Sequence, residues 1–218
     1  PYGTIVALSE STLDENLLVV GTDDGLVQIT KDGGNTWIKI DNIPGAPSQS
    51  YVNSVFTSQH DKNRIYVAFN HHKYGDFKPY IFMTEDMGNT WTTISSNLPN
   101  RGSVYAIEED HEDPGLIFCG TEFGVFFSPN NGKNWKELSM GLPTIAVRDI
   151  AIQREMNDLV LGTFGRGFYV LDDYSMLRSV ENKQVQEKAM ILPIRDAIMW
   201  EKSNPLGLPG KSFQGDNF

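Results

Sequence analysis

Short apolar segments separated by turn sequences are the dominant pattern of the chain. Between residues 103 and 138, four such segments of five or six residues are rich in β-branched and aromatic side chains. They are Ser103–Glu108, Leu116–Gly120, Gly124–Ser128 and Asn134–Leu138. The sequences between them include Asp-Pro-Gly and Asn-Asn-Gly, which are typical of tight turns. Because connections this short leave no room for helices, the pattern predicts an antiparallel meander of β-strands.

An octet of the form Ser/Thr-x-Asp/Asn-x-Gly-x-Thr/Asn-Trp occurs three times, at residues 30–37, 84–91 and 128–135. The hydroxyl and the carboxylate or amide can bind N–H groups inside a tight turn, and the glycine can take a positive φ. We expect the tryptophan to begin a fourth strand and to pack between adjacent sheets. The octet residues are therefore interpreted as structural, namely Asp32, Trp37, Asp86, Trp91, Asn130 and Trp135.

Two further features repeat with the octets. A Gly-Thr pair followed by a turn begins at Gly21, Gly120 and Gly162, and a proline follows each tryptophan segment at residues 44, 99 and 143. The octet tryptophans are 54 and 44 residues apart. A period of this size corresponds to one four-stranded propeller blade. The predicted fold class is thus all-β, with β-propeller blades built as four-stranded antiparallel meanders.

The repeats divide residues 1–173 into four predicted blades, at about 2–44, 50–99, 102–143 and 145–172. The fourth has no octet. Residues 174–218 are predicted to form an extension. It has a short helix over 175–178 with Asp173 as N-cap, further helical turns at 180–188, one or two strands at 189–192 and 196–200, and a Gly/Pro-rich linker from 203. Four blades are few for a ring, so we expect part of a larger propeller. The alternative is a four-blade ring completed by the C-terminal strands.

The octets resemble the Asp-boxes, or BNR repeats, of sialidases, xyloglucan-hydrolysing propellers and the sortilin ectodomain. The segments 2–5, 21–28 and 165–173 are similar to the final blades in bacterial proteins labelled "glycosyl hydrolase, BNR repeat" or sortilin-like. The resemblance covers about residues 2–200. It implies a secreted, periplasmic or cell-surface location, and partners that include the remaining blades of a parent propeller. It is strong for the fold and weak for any activity.

Composition limits the classes of ligand. The formal net charge is −10, from 18 basic and 28 acidic residues, so general binding to nucleic-acid backbones is not expected. The single cysteine, Cys119, excludes an internal disulfide and a zinc site built on several thiolates. No apolar run has the length of a membrane-spanning helix. We predict no cofactor and no metal.

Blade geometry predicts where a ligand would bind. If the innermost strand comes first in each blade, the turns between second and third strands lie on the face opposite the octets. That face would carry candidate ligand-binding residues, which are Asp23, His71, His72, Tyr74, Phe123, Arg148 and Arg166. It would also carry three carboxylates, Asp24, Glu122 and Asp149, two of which could act as a glycosidase pair. Each of these acids can equally be an ordinary turn or surface residue.

Three functions remain open at this point. The first is a glycan- or protein-binding scaffold, with a polysaccharide or protein ligand. The second is a glycoside hydrolase that uses a carboxylate pair on the predicted face. The third is a set of purely structural blades of a surface protein. A partial ring is not expected to be catalytically active alone, because an active site at the axis draws on all blades.

Overall fold

The structure is a computed structural model that describes residues 3–139, 141–180 and 196. These residues form four antiparallel sheets in which the strands follow one another in chain order. The first sheet contains β1 (Ile5–Glu10), β2 (Leu18–Thr22), β3 (Val27–Thr30) and β4 (Ile38–Ile40). The second contains β5 (Tyr51–Thr57), β6 (Ile65–His71), β7 (Asp76–Thr84) and β8 (Thr92–Thr93). The third contains β9 (Val104–Glu109), β10 (Ile117–Thr121), β11 (Gly124–Ser128) and β12 (Lys136–Glu137), and the fourth β13 (Val147–Gln153), β14 (Asp158–Thr163) and β15 (Phe168–Leu171).

The predicted all-β meander is confirmed. In the third sheet the observed strands begin and end within one residue of the predicted ones, except that β12 is only two residues long. The fourth strand is also short in the second sheet. Such outer strands pair with only one neighbour, so they add few ladder hydrogen bonds.

The first two octet turns have the same hydrogen bonds. Thr30 Oγ1 accepts the N–H of Gly34 and donates to Asp32 Oδ1, and Asp32 accepts the N–H and the hydroxyl of Thr36. The turn at 84–91 repeats these bonds within 0.1 Å. The hydrogen bond to the hydroxyl of Thr36 is the main reason that the pKa of Asp32 falls to about 2. Asn130 accepts the corresponding N–H bond in the third turn, at 2.9 Å, without a charge.

The second and third octets pack onto the sheets that precede them. Trp91 contacts a core cluster formed by the first two sheets, and Trp135 is buried in a cluster between the second and third. The indole N–H of Trp135 donates to the carbonyl of Ile94 at 2.7 Å. The prediction that the ring lies between sheets therefore holds for these two residues. It is wrong for Trp37, which is 39% exposed because the described chain supplies no sheet before the first.

Both ends of the array expose apolar side chains. On the first sheet these are Ile5, Leu8 and Ile38, beside Trp37. On the fourth sheet Phe168 and Val170 are exposed, with Phe168 at 79%. Within the described residues, the three core clusters join consecutive sheets, and none joins the first sheet to the fourth. The four sheets are thus an open array.

A short 3-10 helix, Tyr174–Ser179, takes the place of a fourth strand in the fourth sheet. Asp173 caps it by accepting the N–H of Ser175, as the sequence predicts. Tyr174 is fully buried and packs edge-to-face on Phe118 of the third sheet. Arg178 forms a two-nitrogen contact with the buried carboxylate of Asp110, which fastens the helix to the third sheet. The strands predicted at 189–192 and 196–200, the helical turns at 180–188 beyond Val180, and the linker lie outside the described residues.

Candidate functional site

The innermost strands of the four sheets meet around a pocket of about 670 Å³, here called the axial pocket. Five of its residues come from these strands: Val6, Tyr51, Asn53, Tyr105 and Arg148. They lie near the N-terminal ends of the strands, on the face away from the octets. The pocket therefore forms on the face where the sequence places a ligand.

The remaining lining residues come from one hairpin and one turn. Asn70, His72, Lys73 and Phe77 belong to the long hairpin of the second sheet, and Glu122 to the turn after β10. A one-turn 3-10 helix, His72–Tyr74, gives this hairpin its shape. It ends at Gly75, whose φ of 76° is a left-handed value that glycine adopts without strain.

The side chains that line the axial pocket carry more positive than negative charge, although the chain as a whole is negatively charged. Its lining contains two cations, Lys73 and Arg148, and one acid, Glu122, although the whole chain has a net charge of −10. Among the described residues, no carboxylate forms an ion pair within 4 Å of either cation, since the ion pairs found there involve Lys39, Arg64, His111 and Arg178. Lys73 acts on Asp23 only at longer range, where it helps to lower the pKa of that carboxyl, and Arg148 interacts with Tyr105.

Both cations lie close to aromatic rings. The guanidinium carbon of Arg148 lies 3.7 Å from the ring centroid of Tyr105 and 5.3 Å from that of Phe164. Nζ of Lys73 lies 6.0 Å from the ring centroid of Tyr51. Burial raises the pKa of Tyr105, and the positive charge of Arg148 partly opposes this rise. The phenol thus stays protonated at neutral pH, and its ring orients the guanidinium.

Two asparagines connect the pocket to the framework. Asn53 donates to the carbonyl of Val104 at 2.5 Å, which ties the second sheet to the third. The amide of Asn70 donates to Asn53 Oδ1 at 2.8 Å, and Asn70 Oδ1 in turn accepts the N–H of His72. These bonds fix the two amides and the start of the hairpin.

The structure brings together three of the ten candidate residues. Glu122, His72 and Arg148 line the axial pocket. Asp23, His71 and Tyr74 line a much smaller neighbouring cleft, where the rings of His71 and Tyr74 stack at 4.4 Å. Asp23 there accepts the N–H groups of Gly3 and Thr4, and these bonds lower its pKa.

The other four candidates lie apart from the axial pocket. Asp24 lines a separate pocket beside the 41–49 loop, and Phe123 lines one with Arg101. Asp149 accepts the N–H of Ile150 on β13, and Arg166 is exposed in the turn before β15. The three candidate carboxylates therefore face three different places, and Glu122 is the one that reaches the axial pocket.

One carboxyl with a strongly shifted pKa lies on an innermost strand. Burial raises the pKa of Glu108 to about 8, Arg154 opposes the rise, and Asp149 adds to it. Gln59 Nε2 is 3.4 Å from Glu108 Oε1, a long contact. Glu108 does not line the axial pocket.

Sequence reasoning missed several pocket residues, chiefly Tyr51, Asn53 and Tyr105. All three lie on the first strand of a blade, and the Gly-Thr pair or its counterpart lies on the second strand. Their position relative to this repeated feature could therefore have indicated them. The described residues contain no group of three or more His, Cys, Asp or Glu side chains placed to hold a metal ion. No helix in that part of the chain has the length and apolar content needed to cross a membrane.

Comparisons with solved structures give β-propellers. The chain is similar to YCF48 bound to D1 peptide, with a TM-score of 0.58 and 20% identity over 78% of this chain and 51% of that one. It is similar to the GH74 enzyme of Niastella koreensis, with a TM-score of 0.63 and 11% identity over 78% of this chain and 29% of that one. It is also similar to the Swd1 β-propeller domain of Myceliophteria thermophila, with a TM-score of 0.56 and 12% identity over 87% and 57%.

No protein-family model and no curated protein sequence matches the chain. The chain spans about half of YCF48 and under a third of the GH74 enzyme. Identities this low establish the fold alone. The four sheets are propeller blades.

Proposed function

We propose that this chain is a segment of an Asp-box propeller, of the secreted glycosyl-hydrolase-like or sortilin-like kind, that acts as a peptide-binding scaffold. The ligand is an acidic peptide segment seated in the axial pocket. The supporting observation is the pair of aromatic-held cations, Arg148 and Lys73, in a pocket of a strongly acidic protein.

The positions of these cations favour an acidic ligand over a neutral glycan. A sugar ring that stacks on an aromatic residue needs a free aromatic face. In the axial pocket, Arg148 covers one face of Tyr105, and Lys73 approaches the ring of Tyr51. A guanidinium held in this way is preorganised for a two-nitrogen contact with a carboxylate. The solved structure of YCF48 with a D1 peptide is a precedent for peptide binding on this fold.

A glycoside hydrolase is the second candidate, favoured by the similarity to GH74 enzymes. That chemistry needs two carboxyls about 5–10 Å apart across a sugar-binding cleft. Glu122 is the one acid that lines the axial pocket, while Glu108 and Asp149 lie outside it. For this reason, binding without hydrolysis is the better-supported function.

The outer faces of the array indicate a further partner, the remaining blades of a larger propeller. Trp37 occupies the octet position that, in the next two blades, packs on a preceding sheet. Exposed Leu8 and Phe168 extend the two uncovered faces. Burial of such apolar surface against similar sheets would stabilise the array by roughly 25 cal/mol per Å². If no ligand binds, this structural role is what remains for the chain.

Fluorescence anisotropy on the 218-residue chain tests the peptide proposal. The probe is a labelled hexaglutamate peptide with an amidated C-terminus, and hexaglutamine is its neutral control. We expect the glutamate peptide to bind more tightly, and Arg148→Gln to weaken it about tenfold. The matched control Arg166→Gln, which removes an exposed arginine outside the pocket, should leave the affinity unchanged.

Competition separates the alternatives. Oligogalacturonate that displaces the peptide at lower concentration than hexaglutamate itself would overturn the peptide proposal in favour of an acidic glycan. Release of reducing sugar from xyloglucan would support the hydrolase. An equal loss of peptide affinity in Arg148→Gln and Arg166→Gln would mean that the peptide does not bind in the axial pocket. If the chain binds none of these ligands, the structural role is the function that remains.

A further inference from the structure

The four innermost strands share a β-bulge at the same position. In the first sheet, Ile5 pairs with Thr22 and Ala7 with Gly21, so Val6 has no partner. The bulge skips Asn53 in the second sheet, Tyr105 in the third and Arg148 in the fourth. All four unpaired residues line the axial pocket.

In two of the four sheets, a glycine opposite the bulge lies directly against the neighbouring sheet. Opposite the bulge in the third sheet, Gly120 is overlain by the next innermost strand, and a Cβ there would lie 2.7 Å from the carbonyl oxygen of Val147. Gly21 is overlain in the same way by Val52. In all four sheets the bulge leaves its extra residue outside the ladder, and that residue lines the axial pocket.

A bulge position tolerates different side chains because its side chain is not packed between sheets. The four residues found there are apolar, amide, aromatic and cationic. The paired residue just before each of them is a buried valine in the second, third and fourth sheets (Val52, Val104 and Val147) and the exposed Ile5 in the first. The framework is thus alike in three blades, while the chemistry of the bulge residue differs in each.

We propose that the bulge residue of each blade determines which ligand the axial pocket accepts. This inference rests on the proposed function and assigns its specificity to four positions, Val6, Asn53, Tyr105 and Arg148. In this chain two of them, Arg148 and Tyr105, form one unit across adjacent blades, since the guanidinium lies on the ring. Asn53 is held by Val104 and Asn70, so it presents a fixed amide beside that unit.

The first blade supplies the sharpest test, because its bulge carries no polar group. Val6 is half-buried at the edge of the pocket, so Val6→Arg places a second guanidinium there. Leu8 lies two residues further along the same strand and does not line the pocket. Leu8→Arg therefore adds the same charge to the same strand, at a position whose native side chain is 65% exposed. It is the matched control.

The experiment measures the affinity of the labelled hexaglutamate peptide for the three full-length chains. We expect Val6→Arg to bind about fivefold more tightly than the unmodified chain, and Leu8→Arg to change the affinity less than twofold. The gain should shrink as salt is raised, because it is electrostatic. A gain of affinity cannot arise from unfolding. Val6→Lys serves as the second variant if Val6→Arg does not fold.

The outcomes separate this inference from the proposed function. Equal gains in Val6→Arg and Leu8→Arg would overturn the inference and leave peptide binding intact, since net charge alone would then explain both. Binding by Val6→Arg when the unmodified chain does not bind would support the bulge assignment and overturn the acidic-peptide ligand. No binding by any of the three chains would overturn both.

Discussion

The first and third octet turns have closely related sequences and turn hydrogen bonds, but their tryptophans occupy different environments. Trp37 is 39% exposed, whereas Trp135 is 4% exposed between the second and third sheets. A Cβ added at Gly34 would meet only the ring of Trp37 in its own octet, whereas a Cβ added at Gly132 would lie 2.6 Å from Cβ of Ile94 in the preceding sheet. The turn therefore forms from local hydrogen bonds, but the tryptophan stabilises the fold only where a preceding sheet covers it.

The largest expected difference is between the two tryptophans. Trp135→Ala removes a buried ring and its hydrogen bond to Ile94, and should cost about 3–5 kcal/mol in the free energy of unfolding. Trp37→Ala should cost about 1 kcal/mol, because the ring is already partly in water. Urea unfolding of both variants measures the two values. Equal losses would mean that Trp37 is covered in solution, as it would be by a further blade or a second copy.

The next largest difference in stability is expected between substitutions of the equivalent glycines in the third and first octets. A Cβ on Gly132 would lie 2.6 Å from Cβ of Ile94, an atom that cannot move without its backbone, and the φ of 77° adds strain. Gly132→Ala should therefore destabilise the chain by about 2–4 kcal/mol. Gly34→Ala meets only the positive φ and should cost about 1 kcal/mol.

Thermal unfolding compares the two glycine variants directly. If Gly34→Ala were as damaging as Gly132→Ala, backbone strain and not contact with the preceding sheet would dominate at both sites.

The smallest effect concerns the aspartate that the first two octets share and the third replaces with Asn130. Hydrogen bonds in the turn lower the pKa of Asp32 and of Asp86 from 3.8 to about 2. Because the folded-state pKa is the lower one, the stabilisation is present above pH 3.8 and is lost as the pH falls toward 2. Asp32→Asn and Asp86→Asn should each reduce this acid sensitivity by a similar amount. Acid titration followed by circular dichroism checks this, and a much larger change in Asp86→Asn would mean that the neighbouring sheet also sets its pKa.

The candidate site was predictable in part. The sequence placed Arg148, Glu122 and His72 on the face that carries the axial pocket, because turns and strand order determine which ends of the strands face the same way. It did not indicate Asn53 or Tyr105. Simple alternation assigns a strand residue to one side or the other, and a bulge breaks the alternation at these positions. It also did not separate Asp24 from Glu122, which occupy equivalent-looking turns but line different pockets.

Local sequence determined the strands, the octet turns and the capped helix at Tyr174, because each depends on hydrogen bonds between residues close in the chain. The contact between sheets decided the rest. It buries Trp135 but leaves Trp37 exposed, it leaves no room for a Cβ at Gly120, and the arrangement of the sheets brings the four bulge residues to one pocket. These outcomes depend on contacts between residues far apart in the chain, such as Gly120 with Val147 and Trp135 with Ile94, which no local pattern specifies.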